Sequence, residues 1–130
     1  MDYGFINNIV KEKGLSMYGF SNEEIKLVSD CCNEVLNFCK DNKVEFDETA
    51  ATVFIAHLTT LYERVKKNDF ASINSDIFDQ IGDELFDMAE KVTAIIKKYY
   101  KHDITKDEIF LIASHIGAMK ERLKEGGDTK

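Results

Sequence analysis

An all-α fold is predicted by three observations. Proline is absent and the 7 glycines stand mostly between patterned segments, so the punctuation is that of helices joined by short loops. Apolar residues recur every three or four positions in four long runs, the repeat of a helix with one buried face. The runs tend to open on Ser, Thr or Asp followed by acidic residues and to close on lysines, as helix ends require.

Taken in order, Met1 to Phe20 is ambiguous, with a short helix suggested over Tyr3 to Lys11. Ser21 and Glu24 form a capping-box signature, after which Ile25, Val28, Cys32, Val35, Leu36 and Cys39 mark one helix face as far as about Asn42. Asp47 is placed to cap a second long helix reaching Lys67, with Phe54, Leu58, Leu61 and Val65 inward. The pattern weakens from Asn68 to Gly82. Ser75 could cap a short connector helix through Asp76 to Ile81, ended by Gly82. A third long helix is predicted from Asp83 to Tyr100, buried through Leu85, Met88, Ala89, Val92, Ile95 and Ile96. Thr105 with Glu108 repeats the capping-box signature before a last helix with a core stripe of Ile109, Ile112, Ala113, Ile116, Met119 and Leu123. The expected organisation is an N-terminal segment 1–20, one helical domain 21–125 and a frayed tail 126–130.

At 130 residues, 44% of them hydrophobic, the chain can build one core but not two domains. Its formal net charge of -7 disfavours direct contact with a nucleic-acid backbone. Lys66-Lys67 and Lys97-Lys98 read as complements to helix C-termini. Cys31, Cys32 and Cys39 lie within one helical run and are odd in number, which suits reduced packing thiols rather than a secreted disulfide framework. The opening residues lack the apolar core of a signal peptide, and no run reaches the ~18 apolar residues of a membrane span. A cytoplasmic protein without membrane association is expected.

Two of the 3 histidines sit in similar settings. Val53-Phe54-Ile55-Ala56-His57 is followed by Glu63-Arg64, and Leu111-Ile112-Ala113-Ser114-His115 by Glu121-Arg122. A separation of seven puts each His and its Arg on one helix face, roughly 10 Å apart along the axis. Helical projection sets both imidazoles at the edge of the apolar stripe, between packing and solvent. Either alone is readily explained as a neutral, hydrogen-bonded packing residue; two placed alike favour chemistry. Neither completes a helical metal motif such as His-x-x-x-His or Glu-x-x-His, so no metal and no cofactor is expected. No Gly-rich phosphate loop, activated nucleophile or carboxylate pair marks a conventional active site, and the chain is not expected to be an enzyme. Imidazole can nonetheless carry a phosphoryl group covalently. That group adds up to about two negative charges, which a guanidinium two turns away could dock.

These segments resemble the PTS regulation domain, the PRD module of bacterial sugar-operon antiterminators and activators. The segment Thr105 to Ile116, with its Asp107-Glu108 entry and aliphatic run into Ala113-Ser114-His115-Ile116, looks like the second histidine motif of the family, and His57 with Glu63-Arg64 looks like the first. The resemblance covers about Ser21 to Lys124. Two departures stand out: Ala56 precedes His57 where antiterminator copies often carry Asp, and Arg122 has no assigned place in the pattern.

The resemblance implies a compact five-helix bundle with antiparallel helix pairs, commonly homodimeric. It implies phosphorylation of His57 and His115 by the phosphocarrier HPr or by enzyme II components, with Arg64 supporting the first; Arg122 is a candidate phosphate-supporting residue on its spacing from His115 alone. Members usually carry two such modules beside an RNA- or DNA-binding domain; with one module here, output through a separate effector protein in transcriptional regulation is expected. An alternative of a different class stays open: a helical dimerisation or small-ligand-sensing module that is not phosphorylated, with a pocket lined by Phe54, Tyr62 or Phe110. A metal-dependent helical enzyme is a third reading.

Overall fold

Five α-helices carry the backbone of the computed structural model, which describes residues 2–72 and 81–128. They are α1 (Tyr3–Lys13), α2 (Asn22–Asp41), α3 (Glu48–Lys67), α4 (Asp83–Tyr100) and α5 (Lys106–Asp128). No strand occurs among the described residues, and the expected all-α class is the one found.

Local chemistry sets the helix ends. At α2 the Ser21 hydroxyl accepts from the Glu24 amide at 3.1 Å while the Glu24 carboxylate accepts from the Ser21 amide at 2.9 Å, so the capping box is complete. Asp47 caps α3 by accepting from the Ala50 amide at 2.8 Å. Asn68 and Lys101 end α3 and α4 in the left-handed region, at φ 52° and 56°. Asn tolerates that conformation better than Lys does. Gly82, expected to end a connector helix, instead stands as the extended N-cap residue of α4. The rest of that connector, from Ser75 to Gln80, lies outside the described residues, as do the last two residues of the tail.

The N-terminal helix runs further than the sequence suggested, to Lys13, and continues into a π-helical turn, Gly14–Tyr18. Gly14 is required there by close packing: a Cβ on it would lie 2.7 Å from Cδ2 of Phe20. Gly19 closes the turn at φ 63°, a conformation natural to glycine. Ile6, Val10 and Phe20 are all buried, and α1 packs on both α2 and α3.

The core is continuous across all five helices. The inward stripes expected for α2 and α3 are buried throughout. In α5 Ile112, Ala113, Ile116 and Met119 are buried, but Leu123, expected in the same stripe, is 41% exposed. The three cysteines are free and buried, as packing thiols would be. Each fully buried Leu or Ile contributes about 1.5–3 kcal/mol relative to exposure, and the helix pairs α1·α2, α2·α4, α4·α5, α1·α3, α2·α3 and α3·α5 share this core.

Candidate functional site

The α3 and α5 helices meet along one face, and three residue pairs define how. His57 lies against His115, with ring centroids 4.8 Å apart and planes inclined at 37°. Arg64, seven residues after His57, reaches Glu108, seven residues before His115, with Nη1 at 3.2 and 3.3 Å from the two carboxylate oxygens. Arg122, seven residues after His115, pairs with Asp47, ten before His57. Positions that rise along α3 fall along α5, so the two helices run antiparallel. The histidine pair is therefore bracketed by an arginine clamp at each end.

This geometry changes the meaning of the two similar segments. Each Arg shares a face with its own His but bonds to the other helix. The preceding acidic residues differ as well: Glu63 is buried, with one oxygen 3.3 Å from the Lys67 ammonium, whereas Glu121 is exposed. Glu63 Oε2 has no hydrogen-bond partner among the described residues.

The Arg64 clamp is the more consequential of the two. Glu108 has a fully buried side chain, while that of Arg64 is 32% exposed. Burial of a carboxylate is costly unless it is paired and hydrogen-bonded, and Glu108 obtains a further bond from the Ala71 amide at 2.8 Å. It thus ties the chain leaving α3 to the start of α5. The expected Thr105–Glu108 capping box is corrected here. The Thr105 hydroxyl does accept from the Glu108 amide, at a long 3.4 Å, but the carboxylate turns inward to Arg64 and Ala71.

Around the imidazoles the surroundings are apolar. Phe54, fully buried and three residues before His57 on α3, stacks on His115 at 5.3 Å and on Phe46 at 5.0 Å. Both histidines are half-buried. Burial pushes the His57 pKa down to about 3, aided by the neighbouring His115 ring, Arg64 and Lys13; burial also lowers that of His115. Both rings are therefore neutral near pH 7, with a nitrogen lone pair each. Nε2 of His57 is buried and has no hydrogen-bond partner among the described residues. A buried polar nitrogen left unpartnered costs stability, which marks it as a feature packing alone would not favour.

Beside His57 an open groove of about 370 Å³ runs between α1 and α3, lined by Ile9, Glu12, Lys13, Ser16, Met17, Thr52 and Ala56. Met17 in this lining is 64% exposed. The aromatic residues expected to line a pocket lie elsewhere. Phe54 and Phe110 are buried, and Tyr62 packs between Phe20 and Tyr100 with its hydroxyl on Glu24 at 3.2 Å.

Sequence reasoning singled out His57, His115, Arg64 and Arg122 and set Glu108 and Phe54 near them, but missed the pairing of Glu108 with Arg64 across the helices and the stacking of Phe54 on His115. A signal for Glu108 was present: its offset of seven from His115 mirrors that of Arg64 from His57, which is what an antiparallel helix pair turns into a contact. No group of three or more His, Cys, Asp or Glu side chains among the described residues is arranged to hold a metal ion.

Fold and site together define a class of protein, an all-α module that presents two histidines on facing helices. The family model described as PRD domain matches residues 33–119, more than half of the sequence, and the chain belongs to that family. The matched span begins within α2 and ends in α5, so it contains both histidines and the Arg64–Glu108 clamp, while Arg122 lies just past its end. No curated protein and no solved structure matches the chain significantly. The family is one of regulatory domains of the sugar phosphotransferase system. No helix among the described residues is long and apolar enough to cross a membrane.

Proposed function

We propose that this domain is a phosphorylation-controlled regulator of sugar uptake genes, with His57 and His115 as phosphoacceptors. HPr or an enzyme II component is the donor, and a separate effector protein or a second copy of the chain receives the signal. The observation that carries the reading is the buried, unpartnered Nε2 of a neutral His57 lying against a second neutral imidazole. A neutral imidazole is a competent nucleophile toward phosphorus.

The structural consequence follows from charge. A phosphoryl group brings up to about two negative charges into a seam built from neutral rings. Arg64 is a partly exposed guanidinium that bears on His57, and its present partner is Glu108. Recruitment of Arg64 to a phosphoryl group would release Glu108 and with it the Ala71 segment, changing the surface around the start of α5. The exposed Met17 in the groove supplies apolar surface on which a partner could bind.

Incubation with HPr, the enzyme that charges it and phosphoenolpyruvate should add mass to wild-type protein and less to His57→Ala and His115→Ala. Size-exclusion profiles should differ between the free and modified forms. Wild type that gains no phosphate under any donor would sink the reading. The groove beside His57 favours the ligand-sensing alternative; that reading expects a metabolite to raise the melting temperature of wild type and of both His variants equally.

A further inference from the structure

The N-terminal helix brings a lysine to the side of His57 from outside the span matched by the family model, which begins at residue 33. α1 packs on α3 with Ile6 and Val10 buried, and the π-helical turn that continues it is tied to α3 where the Tyr18 hydroxyl meets that of Thr60 at 2.9 Å. Thr60 follows His57 by three residues, so it lies one turn further along the same face. This anchorage sets Lys13 on the wall of the groove that Ala56, the residue before His57, lines from the α3 side.

Lys13 differs from the two arginines of the seam. Arg64 is held by Glu108 and Arg122 by Asp47, whereas the Lys13 ammonium enters no ion pair or hydrogen bond among the described residues. It is half-buried, while Lys11 on the same helix is exposed. A lysine near a helix C-terminus ordinarily offsets the dipole there, but the helical path does not end at Lys13. It runs on through Gly14–Tyr18 to Gly19, whose amide bonds to the Gly14 carbonyl. Burial is the main reason that His57 resists protonation, and His115, Arg64 and Lys13 add to it; at His115 burial acts alone. The Lys13 charge is thus felt at one imidazole of the pair and not at the other.

We propose that Lys13 binds the phosphoryl group carried by His57, and so makes the two acceptors unequal by holding charge at His57 alone. This rests on the acceptor reading above and deepens it by assigning to α1 a residue of the phosphorylated site. A phosphoryl group on His57 meets an ammonium whose recruitment breaks no existing pair. Lys13 can therefore engage while Arg64 still holds Glu108, and Arg64 remains available for the exchange described above. The interaction is non-covalent: Lys13 donates hydrogen bonds to phosphoryl oxygens and takes part in no bond exchange.

Potassium phosphoramidate, a small donor of phosphoryl groups to imidazole, tests this on the full chain without a protein donor whose docking the lysine could also affect. Fragmentation of the labelled protein reads His57 and His115 separately, so His115 serves as the internal reference. Lys13→Gln should lower the initial rate of labelling at His57 relative to His115 by about threefold to fivefold, and Lys13→Arg should restore it. In phosphorus NMR of the labelled protein, the second ionisation of the His57 phosphoryl group should lie at higher pH in Lys13→Gln than in wild type, because the dianion has lost its cation. A substitution that merely loosened the fold would change both histidines together and would show in circular dichroism. An unchanged ratio of His57 to His115 label, or an unmoved phosphorus titration, would overturn the role of Lys13 while leaving both histidines as acceptors. Label confined to His115 in wild type would also overturn it. No label on either histidine, from phosphoramidate or from charged HPr, would remove the acceptor reading and this proposal together.

Discussion

His57 is the residue at which the fold and the proposed chemistry make opposite demands. An unfolded histidine titrates near 6.5, but burial holds His57 down to about 3, and His115 is lowered too. As pH falls below 6.5 the unfolded chain binds protons that the native site refuses, so stability is lost progressively toward the folded pKa. The melting temperature should therefore decline between pH 6.5 and about 5, above the range where carboxylates titrate, and the decline should be shallower in His57→Gln. An equal slope in that variant would show that His57 is not held neutral by the fold. Arg64 and Glu108 make a second prediction, in which the two partners are unequal. Arg64→Met strands a carboxylate that is 0% exposed and should cost about 3–5 kcal/mol in urea unfolding. Glu108→Gln keeps an oxygen for the Ala71 amide and leaves a partly exposed guanidinium to water, so it should cost only about 1–2 kcal/mol. The double variant should recover part of the larger loss.

Helix ends and helix faces were legible because their chemistry is local. Ser21, Glu24 and Asp47 cap the helices they were expected to cap, and the three-and-four spacing of Val28, Cys32 and Val35 can satisfy only one buried face. Glu108 shows where locality ends. The Ser/Thr-x-x-Glu signature that forms a capping box at Ser21 is only half realised at Thr105, because a partly exposed guanidinium and the Ala71 amide together hold the Glu108 carboxylate more strongly than one exposed backbone N–H would. The π-helical turn was illegible for a similar reason: Gly14 is there for Phe20, a contact across a turn that no periodicity encodes. Lys101 offers a test at this scale. It ends α4 at φ 56°, its amide bonded to the Lys97 carbonyl at 2.8 Å, and Lys101→Gly should stabilise the protein by about 1 kcal/mol through relief of left-handed strain. Gly14→Ala should act in the opposite sense, by about 1–3 kcal/mol, because the added methyl meets a buried ring.

Across the whole molecule the first twenty residues belong to the core they were expected to flank. Ile6, Val10 and Phe20 are buried, Lys66 lies over the Phe20 ring, and Tyr18 meets Thr60 at 2.9 Å. A chain beginning at Ser21 should thus lose cooperative unfolding, with a flattened melting curve and exposed apolar surface detected by dye binding. A sharp transition in that fragment would show the remaining helices to be self-sufficient. The α3–α5 seam could not be read from spacing alone, since two similar His-to-Arg intervals predict two similar sites, whereas antiparallel packing merges them into one. That merger has a spectroscopic consequence. His115 lies over the faces of Phe54 and His57, so aromatic ring currents should displace the imidazole proton resonances of the pair from the unstacked range. Any event that parts the two rings would return those resonances toward it, giving the molecule a built-in reporter that needs no attached label.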